Sequence, residues 1–395
     1  MDSVVKLLRD LVAIDSVNPS LVPGAAGEGP IAAAVADHLR RIGLDVEIQE
    51  VAPGRPNVIG VLEGRGRGRS LMFCGHVDTV GVEGMSRPFD PIERDGRLYG
   101  RGSQDMKGGV AAMIDSARVL ARDGLHAGRL IVAAVIDEEY ESIGADALVT
   151  RWRADAAVVT EPTDLQIAIG HKGFAWFEIE TRGRAAHGSR PREGRDAIVR
   201  MGRVLNELER LDRRLQARPP HPLMGTASLH ASVIAGGREL SSYPDRCTLK
   251  YERRTVGGEG QADVTREIEG VLSALRSSDP EFEASVTALF GRPCYEVPDT
   301  HELPAALASA LARTDPLGAS AINQFVGMSF WTDAAVLGGA GIPAVLFGPG
   351  GAGLHSTEEY VVVQDVLRCR DTLTALARAW CEGMPDRKQG AAAAP

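Results

Sequence analysis

The sequence predicts an α/β protein: a large mixed sheet with helices on both faces, interrupted by a smaller inserted α+β unit. Three observations predict it. Short apolar, β-rich runs alternate with helix-period stretches in the first half. After about Gly170 the order changes to strands separated by two longer helices, and from about Thr300 the first pattern resumes. Finally, 395 residues at 44% hydrophobic exceed what one compact core usually organises, so two domains are expected.

The elements follow in order. Met1 to Ile14 mixes charged and apolar residues at helical spacing and has no uninterrupted apolar core, so it reads as neither a signal peptide nor a membrane span. Ile31 to Ile42 is an amphipathic helix, Asp45 to Val51 and Asn57 to Leu62 are strands, and Ser70 to Cys74 is a buried strand. The arginine-glycine repeat Gly64 to Arg69, between two strand candidates, is expected as a solvated hairpin turn rather than a nucleic-acid segment. Val110 to Leu120 is a helix, and Leu130 to Ile136 and Ala156 to Val159 are short strands. Then come a strand at Phe174 to Thr181, a helix at Asp196 to Leu211, strands at Ala227 to Ile234 and Arg246 to Arg253, a helix at Gln261 to Ser277 and a strand at Phe282 to Leu289. That βαββαβ order is a ferredoxin-like unit. A helix at Leu303 to Arg313 and a strand at Ala344 to Phe347 return to the first pattern. The expected domains are therefore 1–172 with 293–388, the inserted 173–292, and a low-complexity tail at 389–395 expected to be disordered.

Charge and cysteine usage narrow the partners. A net charge of −9 without a long Lys/Arg run argues against a nucleic-acid surface and leaves small molecules as the expected partners. Five scattered cysteines without a C-x-x-C pair fit reduced thiols, hence a cytoplasmic location.

The residues that carry chemistry are His76-x-Asp78, Asp105, Glu138-Glu139, Glu161 and His355, most of them at the ends of apolar runs. Two imidazoles and five carboxylates can hold two metal ions that share one carboxylate, with one glutamate left to move protons. The pattern therefore reads as a hydrolase. Taken alone, Asp137, Glu138, Glu139 and Glu141 would read as a solvated acidic turn. Their place after the run Leu130 to Ile136, together with the other donors, favours a site. Adjacent glutamates on an extended segment point to opposite sides, so they can take different roles. Cys74, two residues before His76, is expected to point away from the metals.

Six strings in sequence resemble the dinuclear zinc amidohydrolase and metallopeptidase family. They are Gly75-His76-Val77-Asp78-Thr79, Gly100 to Gly109, Asp137-Glu138-Glu139, Thr160-Glu161-Pro162-Thr163, Gly183 to Ser189 with His187, and Gly348-Pro349-Gly350 leading to His355. Members of that family include acetylornithine deacetylase, succinyl-diaminopimelate desuccinylase, aminoacylase-1 and the glutamate carboxypeptidases. The resemblance implies that His76 and Glu161 bind the first metal, Glu139 and His355 the second, and that Asp105 bridges both. Two Zn2+ per chain are implied, with Co2+ or Mn2+ as possible substitutes. Asp78 would orient the ligand imidazole, and Glu138 would serve as general base. Relatives also hold the peptide bond after the bridging aspartate in the cis form, which here is Asp105-Met106.

The same resemblance makes the inserted unit a lid and dimerisation domain and the protein a homodimer. From that domain His187 would reach the other subunit's site and donate to the developing oxyanion. Arg254 resembles the arginine that binds a substrate carboxylate, but strand register decides between Arg253 and Arg254. The glutamate at Glu161, with Pro162-Thr163 after it and His171-Lys172-Gly173 beyond, leans toward the deacylases and looks most like acetylornithine deacetylase. Where many relatives carry Asn-x-x-Pro, this chain has Ser241-Ser242-Tyr243-Pro244. The implied function is removal of an acyl group from an N-acyl amino acid or similar small amide. The alternatives are a dipeptidase or carboxypeptidase on the same metals and, more remotely, an inactive binding protein of the same fold.

Overall fold

The computed structural model describes residues 2–315 and 324–383. It divides into two compact units: Met1–Ile169 with Val297–Val326 and Thr332–Pro395, and Gly170–Glu296 with Gly327–Trp331. The low-complexity tail lies outside the described residues.

The first unit is built on a mixed sheet. Its strands run in the order Asp45–Ala52, Arg55–Glu63, Ala127–Val135, Gly66–His76, Ala156–Val159, Ala344–Leu346 and Ala168–His171. The middle four of these, from Ala127–Val135 to Ala344–Leu346, are mutually parallel, whereas the first two pair antiparallel. Buried parallel strands read as continuous apolar runs, and Leu71 to Cys74, Leu130 to Val135 and Ala156 to Val159 are all buried. One expectation fails here. Gly64 to Arg69 does not close a hairpin, because Ala127–Val135 lies between the two strands it joins. Local turn chemistry cannot reveal that a strand sixty residues onward takes the middle place.

Helices cover both faces of this sheet: Ser3–Val12, Gly29–Arg41, Gly108–Asp123, Glu302–Thr314 and Val363–Glu382 form one layer, and Ile143–Arg151 and Ala334–Gly339 the other. The first helix starts where the Asp2 carboxylate accepts the Val4 N–H, and it buries Val4, Leu7, Leu8 and Leu11 at helical spacing. Gly109 opens Gly108–Asp123 because a Cβ there would lie 1.9 Å from the carbonyl oxygen of Thr160. This backbone approach packs the turn carrying Asp105 against the segment carrying Glu161.

The second unit has the expected βαββαβ order. Its antiparallel sheet runs Ser228–Gly236, Arg246–Thr255, Gly173–Arg182, Glu283–Arg292, with helices Ala197–Gln216 and Gln261–Ser278 packed on one face. Phe177, Ile179, Leu249 and Tyr251 alternate into that core, and Met201, Val204, Leu208, Ile268 and Leu272 meet them from the helices.

Candidate metal centre

Three neighbouring parallel strands deliver the first donors at their carboxyl ends, where open α/β sheets present their sites. His76 ends Gly66–His76, Glu138 and Glu139 follow Ala127–Val135, and Glu161 follows Ala156–Val159. Asp105 lies in the irregular turn before Gly108–Asp123, and its bond to Met106 is cis, as the resemblance implied. His355 sits in the loop between the paired segments Gly351–Ala352 and Tyr360–Val362, with a left-handed φ of 57°.

These side chains converge. Asp105 turns one carboxylate oxygen to each imidazole: Oδ1 is 3.2 Å from His76 Nε2 and Oδ2 is 3.2 Å from His355 Nε2. His355 Nε2 is also 3.1 Å from Glu139 Oε2, while His76 Nε2 stands 3.9 Å from both Glu138 and Glu161. Two groups of donors are close enough to share an ion: His76, Asp105 and Glu139, and His76, Glu138 and Glu161. The nitrogen and oxygen set suits zinc, cobalt or manganese, and buried Glu139 Oε1 has no hydrogen-bond partner among the described residues. Cys74 corrects one expectation: residues two apart on a strand share a face, so it lies on the His76 side. It is fully buried, one step deeper in the sheet, and belongs to neither donor group.

The electrostatics call for cations. Burial above all raises Glu138 and Glu161 well above the usual carboxylate range, against the opposing pull of His76, and burial lifts Glu139 to about 7. Bonds to Asp105 and then Glu139 push His355 up to about 10. Burial opposes charge on His76, but its bonds to Asp105 and Asp78 prevail and its pKa rises well above the ordinary value. Clustered buried carboxylates that favour positive neighbours this strongly are what a divalent ion neutralises.

Asp78 does two things at once. His76 Nδ1 lies 3.0 Å from its backbone oxygen and 3.5 Å from Oδ1, which fixes the ring so that Nε2 faces the donors. Its two carboxylate oxygens also accept the backbone N–H groups of Glu138 and Glu139, each at 3.2 Å. Burial alone would raise this carboxyl, yet the bonds from His76, Asn18 and the Glu139 amide hold it below its usual value.

Sequence reasoning missed the ring outside. Asn18 Nδ2 donates to Asp78 at 2.8 Å and to Asp137 at 3.1 Å. Arg55 donates to Asp137 at 2.7 Å, to Glu28 at 2.6 and 2.7 Å, and to Asn18 at 3.3 Å. Glu359 binds the Asp105 turn. The available signals were weak: an Asn-Pro-Ser turn at Asn18, and a glutamate four residues beyond His355.

In the second unit, register separates the two arginines. Arg253 faces the helices, is 1% exposed, and is held by Glu259 at 3.1 Å and Glu267 at 3.3 Å. It is thus a core ion-pair residue, which corrects its candidacy for substrate binding. Arg254 points to the helix-free face, with its side chain 31% exposed, Nε 2.6 Å from Glu252 and its guanidinium over the Phe174 ring. His187 is exposed on the loop after Gly173–Arg182, its Nδ1 2.8 Å from Ser189 Oγ.

Comparison with known proteins agrees with this architecture. A family model described as peptidase family M20/M25/M40 matches residues 72–379. An acetylornithine deacetylase of Myxococcus xanthus is 31% identical across 95% of this chain and 97% of its own length. An N-formyl-4-amino-5-aminomethyl-2-methylpyrimidine deformylase of Bacillus subtilis is 29% identical across 96% and 95%. A tripeptidase structure from Staphylococcus aureus shares the fold, with a TM-score of 0.79 over 96% of this chain and 98% of the other at 20% identity.

Proposed function

The chain belongs to peptidase family M20/M25/M40 and is thus a hydrolase of amide bonds, and from that premise we propose a two-zinc deacylase that removes a small acyl group from an N-acyl amino acid or related amide. The observation that carries the reading is Asp105, whose two oxygens face two imidazoles at equal distance. His76 and Glu161 would hold the first ion, Glu139 and His355 the second, and Asp105 would contribute to both. When bound, two such ions polarise the carbonyl and lower the pKa of a water toward neutrality.

The chain's own groups do the rest. Glu138 takes the proton of the attacking water and passes it to the leaving nitrogen, so the amine departs neutral. Burial raises its carboxyl above the usual carboxylate range, the direction that strengthens it as a proton acceptor. Asp78 keeps the His76 ring and the Glu138 backbone in register with one another. Arg254 binds the substrate carboxylate, to which its partly exposed guanidinium offers a fork of N–H donors.

We place the work in a homodimer formed through the second unit. Ser228–Gly236 is an edge strand, and Val233 and Ile234 on it, with Ile198 and Val199 on the adjoining helix, are 59%, 52%, 43% and 59% exposed. An apolar, unpaired edge of this kind is a pairing surface. His187 of one subunit then donates to the oxyanion in the other. A cytoplasmic location fits the five cysteines, all free, and no helix among the described residues is long and apolar enough to cross a membrane.

Deacylation rather than peptide cleavage is favoured because relatives similar over nearly the whole chain include a deacetylase and a deformylase. Assaying the zinc-loaded protein on N-acetyl, N-formyl and N-succinyl amino acids beside dipeptides tests it. Turnover confined to dipeptides would replace this reading with a dipeptidase on the same metals, and a chain that binds no metal would point to a binding protein.

A further inference from the structure

We infer that Glu359 is a positioning residue whose buried carboxylate sets the Asp105 turn and ties it to the His355 loop before any ion arrives. The inference rests on the two-metal reading above. Its side chain is 1% exposed and has four donors. Oε1 accepts the backbone N–H groups of Gln104 at 2.9 Å and Asp105 at 3.1 Å. Oε2 accepts the N–H of Gly102 at 3.0 Å and Nη1 of Arg101 at 2.7 Å. A carboxylate acting purely as a charge partner for Arg101 would not require three consecutive-turn amides. Here the amide of the bridging aspartate is itself one of the donors.

The second tie runs back to the histidine loop. Arg101 Nη2 donates to the carbonyl oxygen of Ser356 at 3.0 Å, immediately after His355. Glu359 and His355 belong to the same short segment, so one carboxylate and one guanidinium fasten that segment to the turn bearing Asp105. Asp105 sits at φ −113° and ψ 94°, outside helical geometry, so the helix that follows does not fix its direction. The Glu359 bond to its amide does. Ionised acceptors hold such bonds about twice as strongly as neutral ones, and a carboxylate can serve four donors where an amide cannot.

Glu359→Gln keeps the shape but sets an NH2 against an N–H or guanidinium donor. In a zinc titration by equilibrium dialysis, the second equivalent should bind about 10–100-fold more weakly, the usual cost of losing a supporting contact behind a ligand. The first, which shares Asp105 but not the tied His355 loop, should weaken less. In metal-free protein, hydrogen exchange of the peptide covering 101–105 should lose protection while the rest of the chain keeps it. Equal weakening of both ions with exchange rising throughout would make Glu359 mere structural support and overturn the inference, as would unchanged zinc binding. Should the variant fail to fold, the wild type still decides: unprotected amides at Gly102, Gln104 and Asp105 in metal-free protein refute the cradle. A wild type that binds no second zinc would instead refute the two-metal reading, while the exchange result would still judge the cradle.

Discussion

His355 Nε2 stands 3.1 Å from Glu139 Oε2, yet the histidine side chain is 54% exposed and the glutamate 6%. One donor of this pair is anchored inside the protein and the other reaches in from solvent. His76, the counterpart imidazole, is 1% exposed. The two metal positions are therefore unequal.

We expect the ion held by Glu139 and His355 to leave first. Graded chelator treatment followed by metal analysis should give a one-metal species before the metal-free protein. Each bound ion should also stabilise the fold by about 2.7 kcal/mol at a free concentration one hundred times its Kd. Simultaneous loss of both ions would contradict the unequal exposure argument.

Glu138 and Glu139 should give opposite phenotypes. Glu138→Gln should retain both metals and lower kcat by roughly 10²–10⁴-fold, the size of a general-base contribution. Glu139→Gln should reduce metal content, and added zinc should restore part of its activity. Metal analysis beside steady-state kinetics separates the two, and exchanged phenotypes would reverse the roles.

Arg253 and Arg254 should also part company. Arg253→Met removes a buried cation from Glu259 and Glu267, and since both acids are partly exposed the loss should fall near the low end of roughly 3–5 kcal/mol. Arg254→Met should leave urea stability nearly unchanged and raise KM for substrates that carry a carboxylate. An Arg254 variant with unaltered KM would remove it from substrate binding.

His171 supplies a pH-dependent stability term. Burial lowers its pKa from 6.5 to about 4, so between those values the unfolded chain binds the proton and the native chain does not. The term is fully present above pH 6.5 and is lost as pH falls through about 4, amounting to roughly 3 kcal/mol at most. Urea unfolding of metal-free wild type and His171→Phe at pH 7 and pH 4.5 should show a smaller acid loss in the variant. Identical losses would mean that His171 is protonated within the fold.

Action of His187 across a dimer predicts complementation. His187→Ala and Glu138→Gln, each inactive alone, should regain activity when mixed under conditions of subunit exchange, since one site in the mixed dimer keeps both residues intact. If His187 served its own chain, both mixed sites would stay defective and no activity would return.

The sequence by itself determined the alternation of strands and helices, the βαββαβ insert and the identity of the converging donors. Those donors were legible because they follow apolar runs whose period is local, as His76 follows Leu71 to Cys74 and Glu161 follows Ala156 to Val159. Only the tertiary structure decided which strands are neighbours, so that Gly64 to Arg69 joins two strands with a third between them. It also decided that Arg253 rather than Arg254 enters the core, because one residue of register reverses every side chain on a strand. The outer ring of Asn18, Arg55 and Glu359 was illegible for a related reason. Its hydrogen bonds join residues far apart in the chain, as Glu359 does with the Asp105 turn, and a single polar contact of that kind leaves no period or composition for a sequence to display.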